Sequence, residues 1–154
     1  MDIHAKLKSM GLTLAAPGKP GANYVPWVRT GDLVYVAGQV PFKDGVVMAT
    51  GHVPSQVGIE TAQAAARQCA LNALGVVGAA IDGDWSRFVR LVRVGVWVNS
   101  DSDFTQQHIV ANGASDLFVA LFGDAGRHAR AAVAANSLPL GAAVEVELIA
   151  QVKG

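Results

Sequence analysis

Charge is scarce in this chain: 16% of its 154 residues are charged, and 12 Lys and Arg balance 12 Asp and Glu to a net charge of zero. Binding a polyanion releases counterions only where cations cluster, and no Lys/Arg run of that kind occurs. A nucleic-acid partner therefore gains no support. The single cysteine, Cys69, excludes a disulfide framework or a cysteine metal site within one chain. It falls in an apolar helical pattern and reads as a small buried hydrophobe rather than a reactive thiol. His4, His52 and His108 have no metal-ligand spacing, so no metal is expected. No apolar run approaches the ~20 residues of a membrane span, and the opening MDIHAKLKSMG lacks the charged-then-apolar order of a signal peptide. A cytoplasmic location away from membranes is the expectation. A GxSxG elbow, a phosphate-cradling loop and a dinucleotide fingerprint are all missing, which leaves chemistry without a cofactor, or plain ligand binding.

Apolar residues make up 51% of the chain, and there are 17 glycines. A chain of this length makes one domain, residues 1–154, and buries roughly two-thirds of its unfolded surface. So little charge on the outside of such a domain points to surface covered by self-association.

The segment Asp2 to Met10 reads as a short helix stopped by Gly11, followed by a Pro/Gly-rich connector, so that residues 1–22 form an N-terminal extension. Tyr24 to Arg29, a turn at Thr30-Gly31-Asp32, and Leu33 to Ala37 give a hairpin signal, with another turn at Lys43-Asp44-Gly45. From about Gln56 to Ile81, Ile59, Ala62, Ala66, Cys69, Ala73, Val76 and Ala80 recur every three or four residues, one face of a long helix. Phe88 to Val98 reads as a strand with Val92, Val94, Val96 and Val98 on one face and Arg93, Gly95 and Trp97 on the other. Asp103 and Gln106 suggest a capping box for a helix running to about Phe122. The order strand, strand, helix, strand, helix, strand, strand predicts an α+β fold with both helices on one sheet face. The opposite face, with Tyr35, Arg93, Trp97 and Ile149, is too apolar to be left in water.

Near the end of the chain Arg130 and Glu145 stand in apolar surroundings, in GRHARAAVA and AAVEVELIA. Alternation puts Val144, Val146, Leu148, Ala150 and Val152 on the core face of the last strand and Glu145, Glu147, Ile149 and Gln151 on the other. Residues Arg130 to Ala135 read as an extended segment separated from it by Asn136, Ser137, Pro139 and Gly141. Pairing of these two segments as neighbours would bring Arg130 near Glu145, either as a working pair or as a structural ion pair.

These pieces, AR followed by small apolar residues, then LP, then VEVELIA, together with NYVPWVRTGDLVYVAGQVP and the NSDSDF segment, resemble the RidA/YjgF family. Its members are the reactive intermediate deaminases, also called L-PSP endoribonucleases. The similarity runs from Tyr24 to Val152; a fragment such as GQVP says little alone, but the pieces together in this order say much.

The resemblance implies a chorismate-mutase-like homotrimer, with two main helices on one face of the sheet and a small carboxylate ligand in clefts between subunits. It implies hydrolysis of 2-imino or enamine acids to 2-keto acids and ammonia. The alternatives are a non-enzymatic, regulatory trimer that binds carboxylic metabolites and, further off, an endoribonuclease. Arg130 matches the arginine that grips the carboxylate, and Glu145 the glutamate that orients or activates water. Tyr24, Gly38 and Asn112 match residues lining the cleft. Two positions depart from the pattern: Ala132 stands where a cysteine is usual, and Ala37 where a serine or threonine is usual. His128 replaces a proline two residues before Arg130 and is a candidate to bind an acidic group or move a proton. Glu147 inherits no role and reads as structural.

Overall fold

The computed structural model describes residues 2–154; Met1, at the start of the expected N-terminal extension, lies outside them. The helix α1 spans Ile3–Ser9, where the Asp2 carboxylate accepts a 3.0 Å bond from the Ala5 N–H and Ile3 and Leu7 are buried. Gly11, with φ of 70°, ends it.

The hairpin consists of β1 (Trp27–Thr30) and β2 (Leu33–Gln39), joined through Gly31 at φ 54°. Tyr24 lies before β1 rather than within it. A small second hairpin, β3 (Phe42–Lys43) and β4 (Val46–Val47), turns at Asp44 and Gly45, both with positive φ. The long helix α2 (Ile59–Ala80) begins three residues later than its apolar period suggests. Gln56 is spent in the preceding turn, its Oε1 accepting from the His52 N–H. After β5 (Phe88–Asn99), α3 (Gln107–Phe122) leads to β6 (Ala129–Ala135) and β7 (Val144–Val152).

The capping box does not form. Gln106 is the N-cap of α3, with no side-chain bond to the helix, because residues before it are held in a turn by Phe104 N–H donating to Asp101 O. In the same turn the Asp101 carboxylate accepts from the Ser55 N–H and hydroxyl.

The main sheet runs β1-β2-β7-β5-β6. The pairing expected between the last two strands is therefore wrong: β5 lies between β6 and β7. The reason is topological, since the crossover through α3 lays β6 parallel to β5, and β7 returns antiparallel along the other edge of β5.

Valines and leucines on one face of β2, β5 and β7, among them Val34, Val94, Val96, Val144 and Leu148, are at most 2% exposed beneath α2 and α3. Alternation on β7 is as expected. On β5 it is broken between Leu91 and Arg93, where a bulge swaps Leu91 into the core and leaves Val92 outside. The two helices cross closely at Gly113, whose missing side chain makes room for the Gln63 carbonyl. The sheet face away from the helices is open, with Tyr35 and Trp97 about 40% exposed.

Candidate active site

Each candidate residue has a clear place, and together they form two groups on opposite sides of the sheet. Arg130 pairs in register with Val94, a core residue, so its side chain leaves β6 toward the helices. There Nη1 donates to Asn112 Oδ1 at 3.0 Å and to Ser115 Oγ at 3.1 Å, and Nη2 donates to the His108 carbonyl at 3.2 Å. His108, Asn112 and Ser115 share one face of α3, spaced four and three residues apart. A guanidinium has five N–H donors; three are used, which leaves the Nε–H and one Nη2–H without a partner among the described residues. Nε and Nη2 share one edge of the group, the edge that fits a carboxylate side-on.

His128 adjoins this cluster. Its Nδ1 lies 2.7 Å from the Gly126 carbonyl, its Nε2 lies 3.0 Å from Ser115 Oγ, and its ring meets Phe118 edge-on. Both ring nitrogens are thus occupied, so the histidine touches Arg130 through Ser115 rather than reaching outward. Burial pushes its pKa below the ordinary histidine value; the bond to the Gly126 carbonyl opposes this, and the Arg130 charge adds a smaller lowering. Ala132 follows on the same side of β6, partly buried against the core.

Glu145 points the other way. It pairs with Trp97 in register, and its carboxylate lies against Gly38, where a β-carbon would collide with it. Gly38 belongs to a bulge in β2 between Val36 and Gln39, opposite β7. Glycine is required there by the close approach of the acid. Tyr24 lies two residues before Pro26, whose carbonyl accepts from Ala37 N–H beside this bulge, and it is 54% exposed.

Half-burial lifts the Glu145 pKa above the usual carboxylate range, and the neighbouring Glu147 charge adds to the effect. Glu147 itself lies over Gly95, and with Tyr35, Arg93 and Ile149 it borders a shallow cavity of about 120 Å³. Neither glutamate is in an ion pair; the two ion pairs among the described residues are Arg87–Asp82 and Arg127–Asp124. The alternative of an Arg130–Glu145 ion pair is thereby removed. The two side chains leave opposite faces, two strands and three residues apart along the sheet, about 14 Å from Cα to Cα by strand geometry.

Ser115 escaped sequence reasoning, and so did the His108 carbonyl. The signal was present as a polar stripe at His108, Asn112 and Ser115 on a largely apolar helix. Cys69 is buried and donates to the Val144 carbonyl at 3.5 Å, with burial pushing its pKa well up. Among the described residues no three His, Cys, Asp or Glu side chains gather as a metal site.

Residues 13–152 match the family model for endoribonuclease L-PSP. The chain belongs to this family, the RidA/YjgF family. Among L-PSP relatives, protein TCP17 of Trypanosoma cruzi is 43% identical over 97% of this chain and 93% of its own length. The structure of Atu1372 from Agrobacterium tumefaciens, a protein of unknown function, is 43% identical, with a TM-score of 0.92 over 98% of this chain and 93% of that one. Escherichia coli TdcF with bound serine is 27% identical, with a TM-score of 0.60 over 90% of this chain and 94% of that one. The α+β fold is that of RidA/YjgF proteins, and no helix is long and apolar enough to cross a membrane among the described residues.

Proposed function

We propose that this L-PSP family member is a cytoplasmic homotrimeric hydrolase of reactive 2-imino or enamine acids, working in clefts between subunits. The observation that carries the proposal is the state of Arg130. It is a guanidinium held only by neutral acceptors, with Nε unpartnered and Nη2 keeping one N–H to spare among the described residues. Such a group is a receptor for a carboxylate that the chain itself does not supply. The serine bound by TdcF is a ligand of the same class, a small molecule bearing a carboxylate.

Glu145 serves the reacting carbon. A half-buried carboxylate with a raised pKa is suited to take a proton from water near neutrality. The water oxygen attacks the imine carbon, one water proton passes to Glu145, and Glu145 returns it to the imine nitrogen. In the resulting carbinolamine the hydroxyl proton passes by way of Glu145 to the amine nitrogen as the C–N bond breaks, which yields the 2-keto acid and ammonia. Because Arg130 and Glu145 leave opposite faces of one sheet, a ligand touching both takes Arg130, Asn112 and Ala132 from one copy and Tyr24, Gly38 and Glu145 from another. The open sheet face supports such packing.

A second reading, a trimer that binds small carboxylic metabolites without turning them over, is favoured by Ala37 and Ala132, which give the cleft fewer polar groups. Endoribonuclease activity has only the family designation behind it, against a net charge of zero. The deciding experiment measures ammonia release from 2-iminopropionate and bulkier imino acids generated in situ, corrected for spontaneous hydrolysis, in wild type and Arg130→Ala. Acceleration that the variant loses supports the hydrolase; saturable binding of pyruvate with no acceleration supports the binder.

A further inference from the structure

The bonding around His128 has a fixed sense. A carbonyl only accepts, so the ring nitrogen facing Gly126 O, Nδ1, carries the hydrogen. In the neutral ring Nε2 then has only a lone pair, and the hydroxyl of Ser115 must donate to it across 3.0 Å. A guanidinium only donates, so Arg130 Nη1 bonds to the lone pairs left on the same Ser115 oxygen. Every donor in this chain meets an acceptor, and the direction runs from Arg130 through Ser115 and His128 to the main chain just before β6. Burial, which keeps His128 neutral, agrees with that sense.

Ser115 has one rotatable hydroxyl. Unaided, its side chain can take any staggered position; tied to His128, its oxygen is fixed where Nη1 needs it. Phe118 and the Gly126 carbonyl in turn fix the imidazole.

We propose that His128, acting through Ser115, is a positioning residue that fixes the Arg130 guanidinium so that its Nε/Nη2 edge faces the ligand carboxylate. This rests on the reading of Arg130 as the carboxylate grip. It turns the histidine from a ligand contact, as its place beside Arg130 suggested, into part of the support behind the arginine. The proline usual at this position in the family has no side-chain nitrogen to offer, so this chain holds its arginine by its own means.

The test compares pyruvate affinity and the KM and kcat for 2-iminopropionate in wild type, Arg130→Ala, Ser115→Ala, His128→Leu, His128→Gln and the double variant Ser115→Ala/His128→Leu. Thermal unfolding is followed in each. Leucine fills the space but accepts no bond, whereas the Gln amide oxygen reaches the place of Nε2 and accepts from Ser115. We expect His128→Leu and Ser115→Ala each to weaken pyruvate binding and raise KM about 3- to 10-fold with kcat changed little. The double variant should be no worse than Ser115→Ala alone, because without the hydroxyl the histidine has nothing left to hold, and His128→Gln should return toward wild type. Additive losses, or a His128→Gln variant as weak as His128→Leu, would overturn the inference. If both His128→Leu and Ser115→Ala match wild type while Arg130→Ala loses pyruvate, the positioning role alone fails. Unchanged pyruvate binding in Arg130→Ala would instead remove the carboxylate-grip reading on which it rests. Should His128→Leu unfold, His128→Asn takes its place, since the shorter amide cannot reach Ser115; a wild-type KM in that variant would overturn the inference.

Discussion

The two sides of the sheet treat their charged residues in opposite ways. On the helix side Arg130 is exposed but tied by three hydrogen bonds to neutral partners. On the open side Glu145 is half-buried, without an ion pair, and raised in pKa by burial and by Glu147. The first environment fixes a direction for an always-charged group; the second leaves a carboxylate chemically reactive. Under the proposed function this difference divides the work: the arginine would place a ligand, and the glutamate would handle a proton.

The largest expected effect breaks the reactive side. Glu145→Gln keeps the shape beside Gly38 but cannot take a proton, and ammonia release should fall about 10²- to 10⁴-fold in kcat with pyruvate binding retained. A loss below tenfold would remove Glu145 from the chemistry. Arg130→Ala should cost about 10²-fold in kcat/KM, expressed mainly in KM, and Arg130→Lys, which keeps charge but not the fork, about tenfold.

Mixing these two variants sharpens the comparison further. Unfolded together in equal amounts and reassembled at random as trimers, Arg130→Ala and Glu145→Gln chains should regain about a quarter of wild-type activity, because one cleft in four receives both intact residues. No recovery in the mixture would place both residues of a site on one chain.

Gly38→Ala should lower kcat about tenfold, since the new methyl group displaces the Glu145 carboxylate, and should destabilise the fold by about 1–3 kcal/mol in thermal unfolding. The smallest effect concerns stability against pH. The folded pKa of Glu145 lies above its unfolded value, so folding favours the protonated form. The penalty for the charged form is absent below the unfolded value and grows as pH rises through the folded one. Glu145→Gln should therefore melt higher than wild type at pH 7 and equal to it near pH 3.

The α+β class, the helix faces and the alternation on β7 were legible because each is local, set by periods of 3.6 and 2 in buried valines and alanines. What sequence could not supply was strand order. Arg130 and Glu145 were expected on neighbouring strands because their segments follow each other in the chain, whereas the crossover through α3 puts β5 between them. The β5 bulge that moves Val92 outward was likewise hidden, because Leu91 and Val92 stand side by side between Arg90 and Arg93 and either could face the core. Ser115 and the neutral sense of His128 depend on atoms brought together across 13 residues, and only the stripe on α3 hinted at them.

The crossover has a kinetic side. Arg130 meets Asn112 across 18 residues of a continuous strand–helix–strand segment. Glu145 meets Gly38 across 107 residues, from opposite ends of the domain. By chain-closure entropy the second contact costs about 1.6 kcal/mol more to bring together. The Arg130–Asn112 contact thus needs only a short loop to close, whereas Glu145 meets Gly38 only once β7, the last of the strands in chain order, is in place.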